Sequence, residues 1–168
     1  MVLGAAGYHR GDWLSLASEV AALGFGAHNV RVDDVGDGAA ASVSRVRGLF
    51  EAAGVRVGPT NGGYGGALIS PDPGVRRRAV DFVQRMCRLT RQLGAPDTYL
   101  RPGSLNPRGA WLPHPDNRGE DVFDRLVDST RQVCAAAETR AGFMVCRWCW
   151  SGTWRPKGSR STTRAPVP

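Results

Sequence analysis

Lysine is almost absent from this chain of 168 residues: Lys157 stands alone against 21 arginines. Acids stop at Glu138, although 15 Asp and Glu residues occur up to that point. No stretch approaches the ~18 consecutive apolar residues of a membrane-spanning helix. The opening MVLGAAGYHR also lacks the charged start and long apolar run of a secretory leader. A cytoplasmic chain with no membrane partner is therefore expected. Cysteine is scarce and poorly placed for a metal. Cys146 and Cys149 form a lone CxxC with no second CxxC or paired His after it, half of a zinc or redox motif. Cys87 and Cys134 sit inside helical patterns, where a free thiol packs as a small hydrophobe. Length sets the last exclusion. The chain can bury one real core, but a closed eight-unit β/α barrel takes about 250 residues and rarely fewer than about 200.

The formal charge of +7 raises the question of a polyanion partner. Its distribution answers it. Arg140, Arg147, Arg155, Lys157, Arg160 and Arg164 all follow the last acid, so the first 138 residues carry 16 basic against 15 acidic groups and are nearly neutral. The case for nucleic acid rests on the tail alone, and nucleic acid is not the expected partner.

Short apolar runs at Val2 to Ala6, His28 to Val32, Val55 to Pro59 and Asp97 to Arg101 read as strands, with a fifth expected to begin near Phe143. Helical periodicity fills the gaps. Leu16, Val20 and Leu23 mark the first helix, and Val43, Val46 and Phe50, with Leu49 and Ala53 beside them, the second. Val75, Ala79, Phe82, Val83, Met86, Leu89 and Leu93 form a longer third stripe; Phe123, Leu126, Val127, Thr130, Val133 and Cys134 form a fourth. Gly24, Gly54 and Gly94 each follow a helix and precede a strand, as left-handed C′ glycines would. Ser70-Pro71-Asp72-Pro73 starts the third helix, with Ser or Asp as cap. Repetition of helix, Gly and strand implies parallel βα winding. The fold class expected is α/β, a partial (β/α)8 barrel of about four βα units over residues 1–145, with an irregular basic tail over 146–168.

Two strand-to-helix loops exceed what connection requires: Thr60 to Gly66, and Arg101 to Asn117. In a β/α barrel such loops lie at the C-terminal strand ends, where active sites are built. Asn61, Arg101, Ser104, Asn106, His114 and Asn117 offer hydrogen bonds to sugar hydroxyls, while Tyr64 and Trp111 offer faces for the apolar side of a sugar ring. His9, after the first strand, is placed to touch the same substrate; His28, at the other end of the second, is expected to be structural. The plainer reading is that Asn and Gly make turns, Pro stiffens loops, and Arg at a strand end pairs with a carboxylate. Gly62-Gly63-Tyr64-Gly65-Gly66 is not a phosphate cradle, because it lacks both the GxGxxG spacing and the Lys-Ser/Thr of a P-loop.

Leu68-Ile69-Ser70-Pro71-Asp72-Pro73 leading into a basic helix, Leu93-Gly94-Ala95, Tyr99-Leu100-Arg101-Pro102-Gly103-Ser104 and Pro113-His114-Pro115-Asp116-Asn117 together resemble the sugar phosphate isomerase/epimerase group of the xylose isomerase-like TIM barrels. The resemblance spans roughly residues 2 to 145, by pattern rather than one diagnostic signature. It implies a sugar or sugar phosphate substrate and proton transfer beside a carbonyl. A divalent metal (Mn, Mg, Zn or Co) would be held by Glu, Asp, His and Glu on later strands of a full-length relative. It assigns no metal ligand and no catalytic residue to this chain, which is expected to lack the cofactor and the activity. A metal-dependent dehydratase or phosphodiesterase on the same barrel, or a non-catalytic carbohydrate-binding half-barrel, remain the alternatives. Unclosed strand edges would invite self-association.

Where the fifth strand and first metal ligand are expected, the chain has Cys146-Arg147-Trp148-Cys149-Trp150-Ser151. One account is a shifted reading frame. Read one base earlier, positions 146, 148, 149 and 150 become apolar, and position 151 becomes Glu if the Ser codon is AGC or AGT. The other account is a basic, disordered tail, rich in Ser, Arg and Pro. The nucleotide sequence around codons 140 to 150 separates the two.

Overall fold

The computed structural model describes residues 2–5, 12–36, 38–64, 67–138 and 147–148. Five strands, β1 (Gly4–Ala5), β2 (Ala27–Arg31), β3 (Arg56–Asn61), β4 (Tyr99–Leu100) and β5 (Arg147–Trp148), alternate with four helices, α1 (Trp13–Ala22), α2 (Ala40–Ala52), α3 (Pro73–Gln92) and α4 (Glu120–Glu138). Every pairing is parallel, in chain order. β1, β2 and β3 form one sheet and β4 and β5 another. A bridge between Thr60 and Thr98 joins them, held by the Thr60 amide on the Asp97 carbonyl (3.0 Å) and the Thr98 hydroxyl on the Thr60 carbonyl (3.2 Å). Parallel neighbours need a crossover, and each helix supplies one. This is an α/β arc of a β/α barrel, as the sequence predicts.

Helix ends follow from local chemistry. Asp12 caps α1 and Asp72 caps α3, the latter accepting from the Gly74 and Val75 amides at 2.7 and 3.3 Å, with Pro73 in the first turn. Of the two cap candidates, Asp72 does the capping, and Ser70 Oγ accepts from the Asp72 amide. Gly24, Gly54 and Gly94 all have φ between 70° and 79°, the left-handed conformation expected of C′ glycines.

Val43, Val46 and Phe50 of α2, and Ala79, Val83, Met86 and Leu89 of α3, are buried in the core, as their spacing predicts. Two positions of the expected stripes are exposed instead. Leu23 is 66% exposed, because α1 ends at Ala22 and the chain turns before the face is complete. Phe123 is 41% exposed, because the buried stripe of α4 runs one residue earlier, through Val122, Leu126, Ser129 and Val133. Ser129 can occupy that stripe because its hydroxyl donates to the Leu68 carbonyl at 2.8 Å. Arg125 Nε donates to the next carbonyl, Ile69, at 2.9 Å, so α4 is fastened to the short 3₁₀ turn Ala67–Ile69 ahead of α3.

The strands are shorter or shifted relative to their apolar runs. β1 and β4 keep two residues each, and β3 extends past Pro59 to Asn61. The fifth strand is Arg147–Trp148, inside the stretch that composition assigns to the tail; its ladder uses only backbone groups, which composition does not forbid. Phe143, Cys146, Cys149 and the rest of the tail lie outside the described residues. No described helix is long and apolar enough to cross a membrane.

Candidate functional site at the C-terminal strand ends

β2, β3 and β4 end side by side at Arg31, Asn61 and Leu100, with Arg31 and Asn61 in register. Arg101 follows β4 directly and organises this end of the sheet. Its Nη2 donates to the Gly62 carbonyl at 2.8 Å, and its backbone amide donates to the Tyr64 hydroxyl. Its guanidinium lies over two rings, 5.8 Å from the centroid of Tyr64 and 4.6 Å from that of Trp111. Stacking of this kind stabilises the cation and fixes its plane. A guanidinium carries five N–H donors. Among the described residues its one hydrogen-bond acceptor is Gly62, so most of the fork remains for another acceptor.

Gly62 is where it is for steric reasons. A Cβ there would stand 2.8 Å from Phe82 Cε1 and 3.0 Å from Val32 Cγ2. The absent side chain lets the loop lie on α3 and present its carbonyl to Arg101. Tyr64 packs beside Phe82, ring centroids 5.9 Å apart. Burial pushes the Tyr64 hydroxyl above its ordinary pKa, against the smaller opposing pull of the Arg101 amide and charge.

Arg31 and Asp33, absent from the residues expected to face substrate, complete this end. Arg31 Nη2 meets Asp33 Oδ2 at 2.8 Å, and the same oxygen accepts from the Gly63 amide at 2.8 Å. A carboxylate two residues past an arginine at a strand end was a usable signal; its third partner, thirty residues on, was not.

The structure divides the expected site residues into groups. Arg101, Tyr64 and Trp111 come together, and Trp111 remains 78% exposed. Asn61 sits half-buried at the end of β3, beside them in the sheet. Ser104, Asn106 and Asn117 knit the 101–117 loop. Ser104 Oγ donates to the Leu112 carbonyl (2.6 Å) and accepts from Asn117 Nδ2 (2.9 Å) and the Asn106 amide (3.1 Å). Asn106 Nδ2 donates to the Pro113 carbonyl, and Asn117 Oδ1 accepts from the Leu105 amide. His114 caps the 3₁₀ turn Pro115–Arg118, its Nδ1 accepting from the Asp116 amide at 3.3 Å. With that lone pair engaged, a neutral ring carries its proton on Nε2. His9 lies outside the described residues. His28, expected to be structural, is buried with its ring 6.2 Å from that of Phe50.

A cavity of about 640 Å³ lies at the opposite, N-terminal end of the strands, lined by Phe50, Val55, Val57, Gly58 and Leu93 with Arg47 and Glu51. Its lining is mostly apolar, and two of its three charged groups, Arg47 and Glu51, already pair at 2.7 Å, leaving Arg56; the strand ends around Arg101, where such barrels build their active sites, hold the better chemistry. Among the described residues no three His, Cys, Asp or Glu side chains gather as metal ligands would, so these residues do not fit a metal site.

Parallel βα winding with polar loops gathered at the C-terminal strand ends defines a β/α-barrel chain. Residues 17–146 match the family described as the xylose isomerase-like TIM barrel, and the chain belongs to that family. Its fold is similar to a D-psicose 3-epimerase from Clostridium cellulolyticum H10, solved with D-tagatose (TM-score 0.66, 18% identity, covering 83% of this chain and 49% of that one). It is also similar to a 3-keto-D-glucoside 4-epimerase from E. coli (TM-score 0.63, 16% identity, 82% and 53%). A third similar structure is a D-tagatose 3-epimerase-like protein (TM-score 0.62, 14% identity, 83% and 49%). The chain thus spans about half the length of these proteins. No curated protein matches it in sequence.

Proposed function

We propose that this chain is part of a sugar isomerase or epimerase and that Arg101, Tyr64 and Trp111 form the substrate-facing rim of its site. The carrying observation is the Arg101 guanidinium, stacked on both rings and with one acceptor among the described residues. Trp111 covers the apolar face of a ketose, and Arg101 and Asn61 hydrogen-bond its hydroxyls, or its phosphate where one is present. His114 flanks that rim, and His9, outside the described residues, is a further candidate for contact with the same substrate. Ser104, Asn106 and Asn117 act mainly by holding the loop that carries Trp111.

In the full-length relatives a divalent metal is expected to polarise the substrate carbonyl. No ligand for it and no acid–base pair is assigned to the described residues, which bind and orient. The 168-residue chain accordingly binds sugar without interconverting it. This reading is preferred to a dehydratase or phosphodiesterase because the structures of similar fold include several sugar epimerases.

Calorimetric titration with D-tagatose and D-fructose 6-phosphate, with and without chelator, tests the proposal. Binding is expected to be insensitive to chelator and to weaken about tenfold or more, ~1.4 kcal/mol, in Trp111→Ala, while Leu112→Ala next to it binds normally. Equal binding by Trp111→Ala and the unaltered chain would overturn the assigned rim, and epimerisation abolished by chelator would overturn the assigned inactivity.

A further inference from the structure

We infer that Asp33 is a positioning residue for the Arg101 guanidinium and acts on it through a single peptide unit, the one joining Gly62 to Gly63. The two ends of that unit are held by opposite charges. Its N–H donates to Asp33 Oδ2 at 2.8 Å, and its C=O accepts from Arg101 Nη2 at 2.8 Å. In a trans peptide those two groups point in opposite directions. A carboxylate just past β2 and a guanidinium just past β4 therefore face each other across the segment that follows β3. The peptide dipole lies along that line, its positive end on the carboxylate and its negative end on the guanidinium. Both bonds are charge-assisted, and each polarises the peptide in favour of the other.

Glycine on both sides leaves this peptide plane little restricted by its own backbone, so the side chains that grip it decide which way the carbonyl faces. The same absence of side chains lets them in: a Cβ on Gly63 would stand 3.4 Å from both Arg31 Nη2 and Asp33 Oδ2. Arg31 in turn holds Asp33, its Nη2 lying 2.8 Å from the oxygen that takes the Gly63 amide. These two side chains are only 32% and 28% exposed, which limits screening of the pair. With the carbonyl fixed, Arg101 is aimed between Tyr64 and Trp111. The inference rests on the proposed rim, since it says how Arg101 is aimed, but not on which sugar the rim takes.

A double-mutant cycle on D-tagatose affinity tests the linkage. Asp33→Ala is expected to weaken binding about tenfold in the otherwise unaltered chain, the size of one charge-assisted hydrogen bond, and to have no further effect once Arg101→Met is present. Asp33→Asn, which keeps an oxygen for the Gly63 amide, should recover part of the loss. Equal losses with and without Arg101 would overturn the inference. A second readout needs no sugar: the Arg101 side-chain N–H signals should exchange with water faster in Asp33→Ala, while those of Arg125, bound to the Ile69 carbonyl, stay as they were. Unchanged Arg101 exchange would overturn the inference whether or not sugar binds. Faster exchange at Arg101, with no sugar bound by any of these chains, would support the inference and overturn the sugar-binding reading alone. Should Asp33→Ala lose its circular dichroism signature, Asp33→Asn decides: faster Arg101 exchange than in the unaltered chain supports the linkage, and equal exchange contradicts it.

Discussion

Thr60, Thr90 and Thr98 are buried, and each keeps its hydroxyl satisfied. Thr90 Oγ1 donates to the Met86 carbonyl at 2.7 Å, which leaves a lone pair for the Thr60 hydroxyl at 2.6 Å. Thr90→Val removes that acceptor and strands a buried hydroxyl, at about 1–3 kcal/mol. Thr60→Val with Thr90→Val removes both partners and is expected to cost less than Thr90→Val alone. Urea denaturation of the three variants checks this, and additive losses would contradict it. Tyr64 adds a pH dependence. Its folded pKa is raised by burial, so the unfolded chain releases the proton first. The stability tied to that proton is complete below the ordinary tyrosine value of about 10 and is lost as pH rises through the raised folded value. Urea midpoints taken upward from about pH 8 should fall more steeply for the unaltered chain than for Tyr64→Phe; parallel curves would contradict the assignment. The identities of the polar loop residues were legible in the sequence, but their targets were not. Ser104, Asn106 and Asn117 bond one another or nearby carbonyls because the loop folds back, and no local pattern encodes that path.

The recurring unit of helix, C′ glycine and strand was legible because it depends on neighbours only: an apolar stripe, then one residue in the left-handed region. Gly54 has φ of 70° and nothing within 4 Å of an added methyl, so Gly54→Ala isolates conformational strain from crowding. A loss of about 1–2 kcal/mol in chemical denaturation is expected, and no loss would contradict the left-handed role. Gly62 is the opposite case. Its cost is crowding against Phe82 and Val32, so Gly62→Ala should displace the loop and shift the Tyr64 ring resonances. Unchanged Tyr64 resonances would show that the loop absorbs the methyl. Element limits were less legible than element order. β4 stops at Leu100, after which Arg101 turns its groups to Gly62 and Tyr64. The burial of α4 moves from Phe123 to Val122 because Ser129, unremarkable in a hydrophobic pattern, is buried on the Leu68 carbonyl.

At the scale of the molecule, parallel winding and family followed from the pattern of units, and the candidate site followed in part. Barrel topology places the loops after β3 and β4 at one end, which made Tyr64, Arg101 and Trp111 nameable. Their stacking, and the Arg31–Asp33–Gly63 contact beside them, depend on tertiary distance and emerged only with the fold. Two ends of the sheet compete for a ligand: the aromatic and guanidinium rim, and the cavity lined by Val55, Val57 and Leu93. Amide chemical-shift mapping during titration with D-tagatose tests the central claim most directly. Shifts gathered at residues 61–64 and 101–112, together with the Trp111 indole N–H, are the expected result; shifts gathered at residues 54–58 and 93–94 would contradict it.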